Sequence, residues 1–201
     1  MVRIAVLVSG GGTNLQALLD AQDAGGLGPG RIALVVSNRK AAYALTRAAE
    51  HGVATAVLSK VMQPDPVLYD EALLRILQEN EIDLIALAGF LGIVGEKVLA
   101  AYPGRILNIH PALIPAFCGK GFYGLHVHEA ALAYGVKVTG ATVHFVNEVT
   151  DGGQIILQKA VDVLPGDTPE RLQRRVMEQA EWVLLPKALE LVCSGQLEGM
   201  K

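Results

Sequence analysis

The sequence predicts an α/β fold: a doubly wound, mostly parallel sheet of Rossmann-like type, with an antiparallel strand pair near the C-terminus. Three observations carry that prediction. Short runs rich in Val, Ile and Leu recur through the first half of the chain, and strands apolar on both faces belong to parallel sheets covered on both sides. Segments with helical spacing separate those runs, which is the βαβ alternation. Beyond residue 135 two longer strand-like runs stand close together, which favours antiparallel pairing.

In chain order, "RIAVLV" gives a first strand over residues 3–8, and "SGGGTNLQALL" ends it and opens a helix over 14–24. Strands follow at 32–37, 53–58, 84–88 and 105–109, with helices at 41–51, 67–80 and 95–101 between them. "VKVTGATVHFV" and "GQIILQKAVDV", joined by "NEVTDG", form the antiparallel pair. Asp167, Thr168, Pro169 and Glu170 read as a helix start, with acceptor side chains and then proline in the first turn. That helix is expected to run on towards Cys193, with Trp182 on its buried face. No repeat, low-complexity tract or linker interrupts the pattern, so residues 1–201 read as a single domain.

Composition narrows the partners. Half the residues are hydrophobic, enough for a sizeable core. A net charge of -3 gives no general attraction to nucleic acid or an anionic membrane. The apolar run before the first glycines is too short for a signal-peptide core, and no run approaches a membrane span. Cys118 and Cys193 lie far apart, so free thiols in a reducing cytoplasm are expected.

Three short motifs carry chemistry. In "SGGGTNL" the glycines let backbone amides approach a ligand, and free amides at a helix start favour an anion such as phosphate. No Lys-Ser/Thr follows, so the Walker pattern is absent. Leu15 replaces the third glycine of the dinucleotide fingerprint, and Arg39 and Lys40 stand where its acid would be. An NADP site and a plain turn remain alternative readings. In "RILNIHP", Asn108 and His110 are two apart and project to one side at a strand's carboxyl end, the end that borders the crevice in open parallel sheets. Pro111 keeps His110 extended. An amide donor beside a proton-exchanging ring suits a carbonyl under attack; a polar strand end with a satisfied histidine is the plainer alternative. In "VTDGGQII", Asp151 is either a turn residue or a carboxylate that orients His110 and raises its pKa.

Together these stretches, with "IALAGFL", "GLHVHEAAL" and "VLPGDTPE", resemble the folate-dependent formyltransferase family, and within it the phosphoribosylglycinamide formyltransferases of purine biosynthesis. The resemblance implies the formyltransferase fold and transfer of a formyl group from 10-formyltetrahydrofolate to the amine of glycinamide ribonucleotide. It implies neither metal nor covalent intermediate. Matched onto this chain, Asn108, His110 and Asp151 are the catalytic set. Gly12, Thr13 and Asn14 hold the substrate phosphate, and Glu181 contacts the ribonucleotide. The folate lies against Leu91, Gly92, Ile93, Val94 and Asn108, and against the loop 145–151. The partners implied are these two small molecules, without nucleic acid or membrane; a homodimer is allowed. A 10-formyltetrahydrofolate hydrolase, which sends the formyl group to water, is the alternative. Such enzymes usually carry an additional amino-terminal domain.

The resemblance has departures. Gly92 and Pro66 stand where the family usually has arginine. "AFCGKGFY", residues 116–123, lengthens the connection after the catalytic strand. Its place predicts that it borders the folate side of the crevice, where Lys120 could supply a lost cation. His126 and His128 could ligate a metal, but only Glu129 is at hand to complete a set. Cys118 beside Lys120 could be an activated thiolate, though no base is assigned to it.

Overall fold

The computed structural model describes residues 1–197. In chain order the elements are β1 (Val2–Val8), α1 (Thr13–Asp23), β2 (Gly30–Ser37), α2 (Tyr43–Glu50), β3 (Ala54–Val57), α3 (Pro66–Glu79), β4 (Leu84–Leu87) and α4 (Glu96–Ala101). Then come β5 (Ile106–His110), α5 (Leu125–Tyr134), β6 (Val138–Phe145), β7 (Ile155–Asp162), α6 (Pro169–Val176), a π-helical turn (Met177–Glu181) and α7 (Trp182–Cys193). One seven-stranded sheet runs β3-β2-β1-β4-β5-β6-β7. The first five strands are parallel, and β6 is antiparallel to both β5 and β7.

Alternation along β1 explains the two layers. Ile4, Val6 and Val8 pack with Leu15, Leu18, Ala44, Ala131, Leu172 and Leu185, so α1, α2, α5, α6 and α7 cover one face. Ala5 and Leu7 pack with Tyr69, Leu73, Leu77 and Val98, so α3 and α4 cover the other. The chain leaves β1 towards β2 and β3, then returns to β1's other side as β4. That reversal leaves a crevice beyond the carboxyl ends of β1 and β4.

Two elements differ from the sequence expectation. The third strand shrinks to Ala54–Val57 and none of its residues is buried, because it pairs only with β2 at the sheet edge. The last helix is not continuous: the π turn separates α6 from α7. Pro186 lies inside α7 and has no N–H for the Trp182 carbonyl, so the α-helical ladder is interrupted at this junction in any case. The start of α6 is as expected, with Thr168 accepting from the Arg171 amide and Pro169 in the first turn. Pro66 has the same local explanation. It opens α3 behind Asp65, whose carboxylate accepts from the Val67 and Leu68 amides.

Candidate active site

A cleft of about 870 Å³ lies beyond the carboxyl ends of the central strands. The glycine turn forms one wall. Gly12 has φ +72°, and a Cβ there would sit 2.6 Å from Ala44 Cβ, so only glycine lets the turn pack on α2. Arg47 holds the turn from α2: its Nε donates to the Gly11 carbonyl at 2.9 Å and its Nη1 to Gln16 Oε1 at 2.8 Å. Across the reversal, the Leu91 amide donates to Ser9 Oγ at 2.7 Å. Thr13 and Asn14 line the cleft where α1 begins. Asn14 Nδ2 donates to Glu181 Oε2 at 2.7 Å, while buried Asn14 Oδ1 has no partner among the described residues. The π turn therefore has a consequence for the site: it brings buried Glu181 to the cleft against α1. Burial pushes the Glu181 carboxyl up to about 7, against the opposing effect of the Asn14 hydrogen bond.

The facing wall comes from β5 and β6. Asn108 stands opposite His144, and His110 opposite Thr142. The His144 Nδ1 is 2.7 Å from the Phe145 carbonyl and its Nε2 is 3.1 Å from Asn108 Nδ2. With Nδ1–H donating to that carbonyl, Nε2 accepts one Asn108 N–H and leaves the other free. His110 Nε2 donates to the Phe117 carbonyl at 2.8 Å. Its Nδ1 faces Asp151 Oδ2 at 3.6 Å, and His144 Nε2 lies 3.7 Å from Asp151 Oδ1. Asp151 has φ +56°, a left-handed conformation that aspartate and asparagine tolerate better than most residues.

The protonation balance departs from the sequence expectation. Burial pushes the His110 pKa down and outweighs the upward pull of Asp151 and the Phe117 carbonyl. The ring is thus held below its ordinary value, although Asp151 acts in the expected direction. For Asp151, burial raises the pKa, but the Gly119 amide and the His110 ring help hold it below the usual carboxylate value.

Residues 116–123 contact His110 and Asp151 directly. The Phe117 carbonyl receives His110, and the Gly119 amide donates to Asp151 Oδ2 at 2.8 Å. The segment then leads into α5, which packs on the α1 and α6 face. Lys120 and Tyr123 line the cleft together with Gln173, Met177 and Glu181. The connection therefore lines the same cleft as α6 and the π turn, and as Phe90 and Leu91.

The remaining candidates separate. Leu91, Gly92 and Asn108 line the cleft. Ile93 is exposed, and Val94 packs against the α3–α4 core instead. His126 is exposed and pairs with Glu129 at 2.9 Å, whereas His128 is fully buried, so the two rings have different surroundings. Burial and the Asp151 charge raise the Cys118 thiol, which opposes thiolate formation. Cys118 and Cys193 are both free.

Sequence reasoning missed His144, Arg47 and Ser9. A histidine inside the apolar run "ATVHFV" was a visible signal for the first; pairing with Asn108 depends on the strand register. It also missed the burial of His128, whose ring nitrogens have no partner among the described residues. Burial and the nearby His110 push His128 down to about 4. Between that value and the unfolded pKa near 6.5 the unfolded chain binds more protons, so stability falls as pH drops through this window, by about 2 kcal/mol at pH 5. Urea unfolding of the protein and His128→Leu at pH 7 and pH 5 checks this. The variant should lose clearly less stability on acidification; an equally steep loss would mean that the buried ring is not the source.

The Formyl transferase family model matches residues 2–189. The human trifunctional purine biosynthetic protein adenosine-3 is 43% identical over 98% of this chain, which spans only 19% of that protein. Phosphoribosylglycinamide formyltransferase of Haemophilus influenzae is 40% identical, over 98% of this chain and 90% of its own. The solved glycinamide ribonucleotide transformylase 1 from Symbiobacterium toebii is 47% identical, with a TM-score of 0.91 covering 97% of this chain and 89% of that one.

Proposed function

The chain belongs to the Formyl transferase family, and from that premise we propose that it transfers a formyl group from 10-formyltetrahydrofolate to the amine of glycinamide ribonucleotide in purine biosynthesis. The observation that carries this reading is one cleft lined both by an amide-rich glycine turn and by Asn108, His110 and Asp151. A phosphate suits the first wall, and a carbonyl under attack suits the second. Residues 1–201 act as one formyltransferase domain in this reading, with the folate as co-substrate and a cytoplasmic location. Among the described residues no helix is long and apolar enough to cross a membrane.

In the proposed mechanism the substrate amine attacks the formyl carbon directly, so no protein nucleophile is needed. The free Asn108 N–H donates to the oxygen as it becomes an oxyanion. Neutral His110, its Nε2–H bound to the Phe117 carbonyl, accepts the amine proton at Nδ1. Asp151 stabilises the resulting imidazolium. The proton passes to the folate N10 as the C–N10 bond breaks, leaving formylated ribonucleotide and tetrahydrofolate. The hydrolase alternative gains nothing from the glycine-turn wall, because water has no phosphate to hold.

Gly11 offers the cleanest test of the phosphate half. Its φ is not positive and a Cβ there meets no atom within 4 Å, so Gly11→Val should fold. It should nevertheless crowd the anion site. Calorimetry should show ribonucleotide affinity falling roughly tenfold or more, the scale of lost hydrogen bonds to a charged group, with folate affinity kept. Equal loss of both ligands would point to a damaged fold, and full retention of ribonucleotide binding would remove the phosphate assignment.

A further inference from the structure

We propose that Lys120, carried by the lengthened β5–α5 connection, binds the phosphate of the ribonucleotide from across the cleft and makes affinity depend on that charge. The inference rests on the ribonucleotide reading above. Among the lining residues the lysine and arginine side chains are Arg39 and Lys120 alone, set against Asp151 and Glu181. Lys120 is exposed and has no hydrogen bond or ion pair among the described residues. The acid that holds the neighbouring residue is already engaged: Asp151 accepts from the Gly119 amide and lies beside two imidazoles. An unpaired ammonium lining the same cleft as an amide-rich turn is suited to a dianionic group.

The position of Lys120 is built rather than incidental. The Phe117 carbonyl is fixed by His110, and the Gly119 amide by Asp151, on the two sides of Cys118. Gly119 has φ +88°, a conformation that turns the chain sharply just before Lys120 and that a side chain would strain. Ile114 is held in turn: its amide donates to Thr142 Oγ1 at 3.1 Å, and its carbonyl accepts from Gln158 Nε2 at 3.0 Å. The connection then enters α5 on the face that carries α1 and α6, the side of Asn14, Gln173 and Glu181. A cation placed there suits the ribonucleotide phosphate better than a folate tail against Leu91.

The test compares the protein with Lys120→Met and Lys120→Arg, using glycinamide ribonucleotide, its dephosphorylated nucleoside and a folate analogue as separate calorimetric ligands. Lys120→Met should weaken ribonucleotide binding about tenfold, leave the nucleoside and folate unchanged, and be largely rescued by arginine. Three results would overturn the assignment: unchanged ribonucleotide affinity, an equal loss for the nucleoside, or a loss confined to the folate. Failure of the unmodified protein to bind ribonucleotide at all would instead overturn the proposed reaction, and this assignment with it.

Discussion

Replacing His110 with alanine should lower kcat by roughly 100- to 10,000-fold, the range spanned by general acid–base groups, while the folded state persists. The ring has polar contacts at both nitrogens, the Phe117 carbonyl at Nε2 and Asp151 across from Nδ1, so its orientation is fixed before substrate arrives. Because burial holds its pKa below the ordinary value, the neutral, proton-accepting form prevails at pH 7, and activity should be lost as pH falls through that lowered pKa. Asp151→Asn supplies the second arm. Asparagine tolerates the left-handed backbone of that position but removes the charge that pulls His110 upwards. The acid limb of the kcat/KM profile, and the imidazole titration read by NMR, should therefore move to still lower pH, with reduced turnover. An unchanged titration and rate would reduce Asp151 to a turn residue.

Asn108→Ala should cost roughly 100- to 1,000-fold in kcat, the loss typical of one oxyanion donor. The substrate KM values should change little, because the interaction belongs to the tetrahedral state rather than the ground state. His144 makes the prediction sharper. Its Nε2 occupies one Asn108 N–H and so aims the amide. His144→Phe should then lose part of the same rate factor even though residue 144 is outside the proposed catalytic set. Near-normal turnover in Asn108→Ala would show that another group stabilises the oxyanion.

Much of this arrangement was legible in the sequence because it follows from periodicity and local chemistry. The buried runs of β1, β2, β4 and β5 identified a covered parallel sheet, and Thr168-Pro169 marked the start of α6. The spacing of Asn108 and His110 put them on one side of a strand end, as the alternation of Leu107 and Ile109 into the core bears out. What stayed hidden depends on contacts between distant segments. The π turn leaves no periodic signature, yet it is what brings Glu181 to Asn14. The antiparallel register that sets His144 against Asn108 cannot be read from either strand alone. Sequence reasoning gave Asp151's influence on His110 the right sign but could not weigh it against burial, which wins. The lengthened connection showed up as a departure from the family pattern; that its backbone grips both His110 and Asp151 needed coordinates.

The central claim is direct formyl transfer to the ribonucleotide amine, and isotope tracing tests it most directly. The purified protein would be given 10-formyltetrahydrofolate carbon-13 labelled in the formyl group, with and without glycinamide ribonucleotide, and the products resolved by mass spectrometry. The account predicts label in formylated ribonucleotide, in one-to-one yield with tetrahydrofolate, and almost none released when the ribonucleotide is omitted. Labelled formate appearing at the same rate in both samples would contradict it.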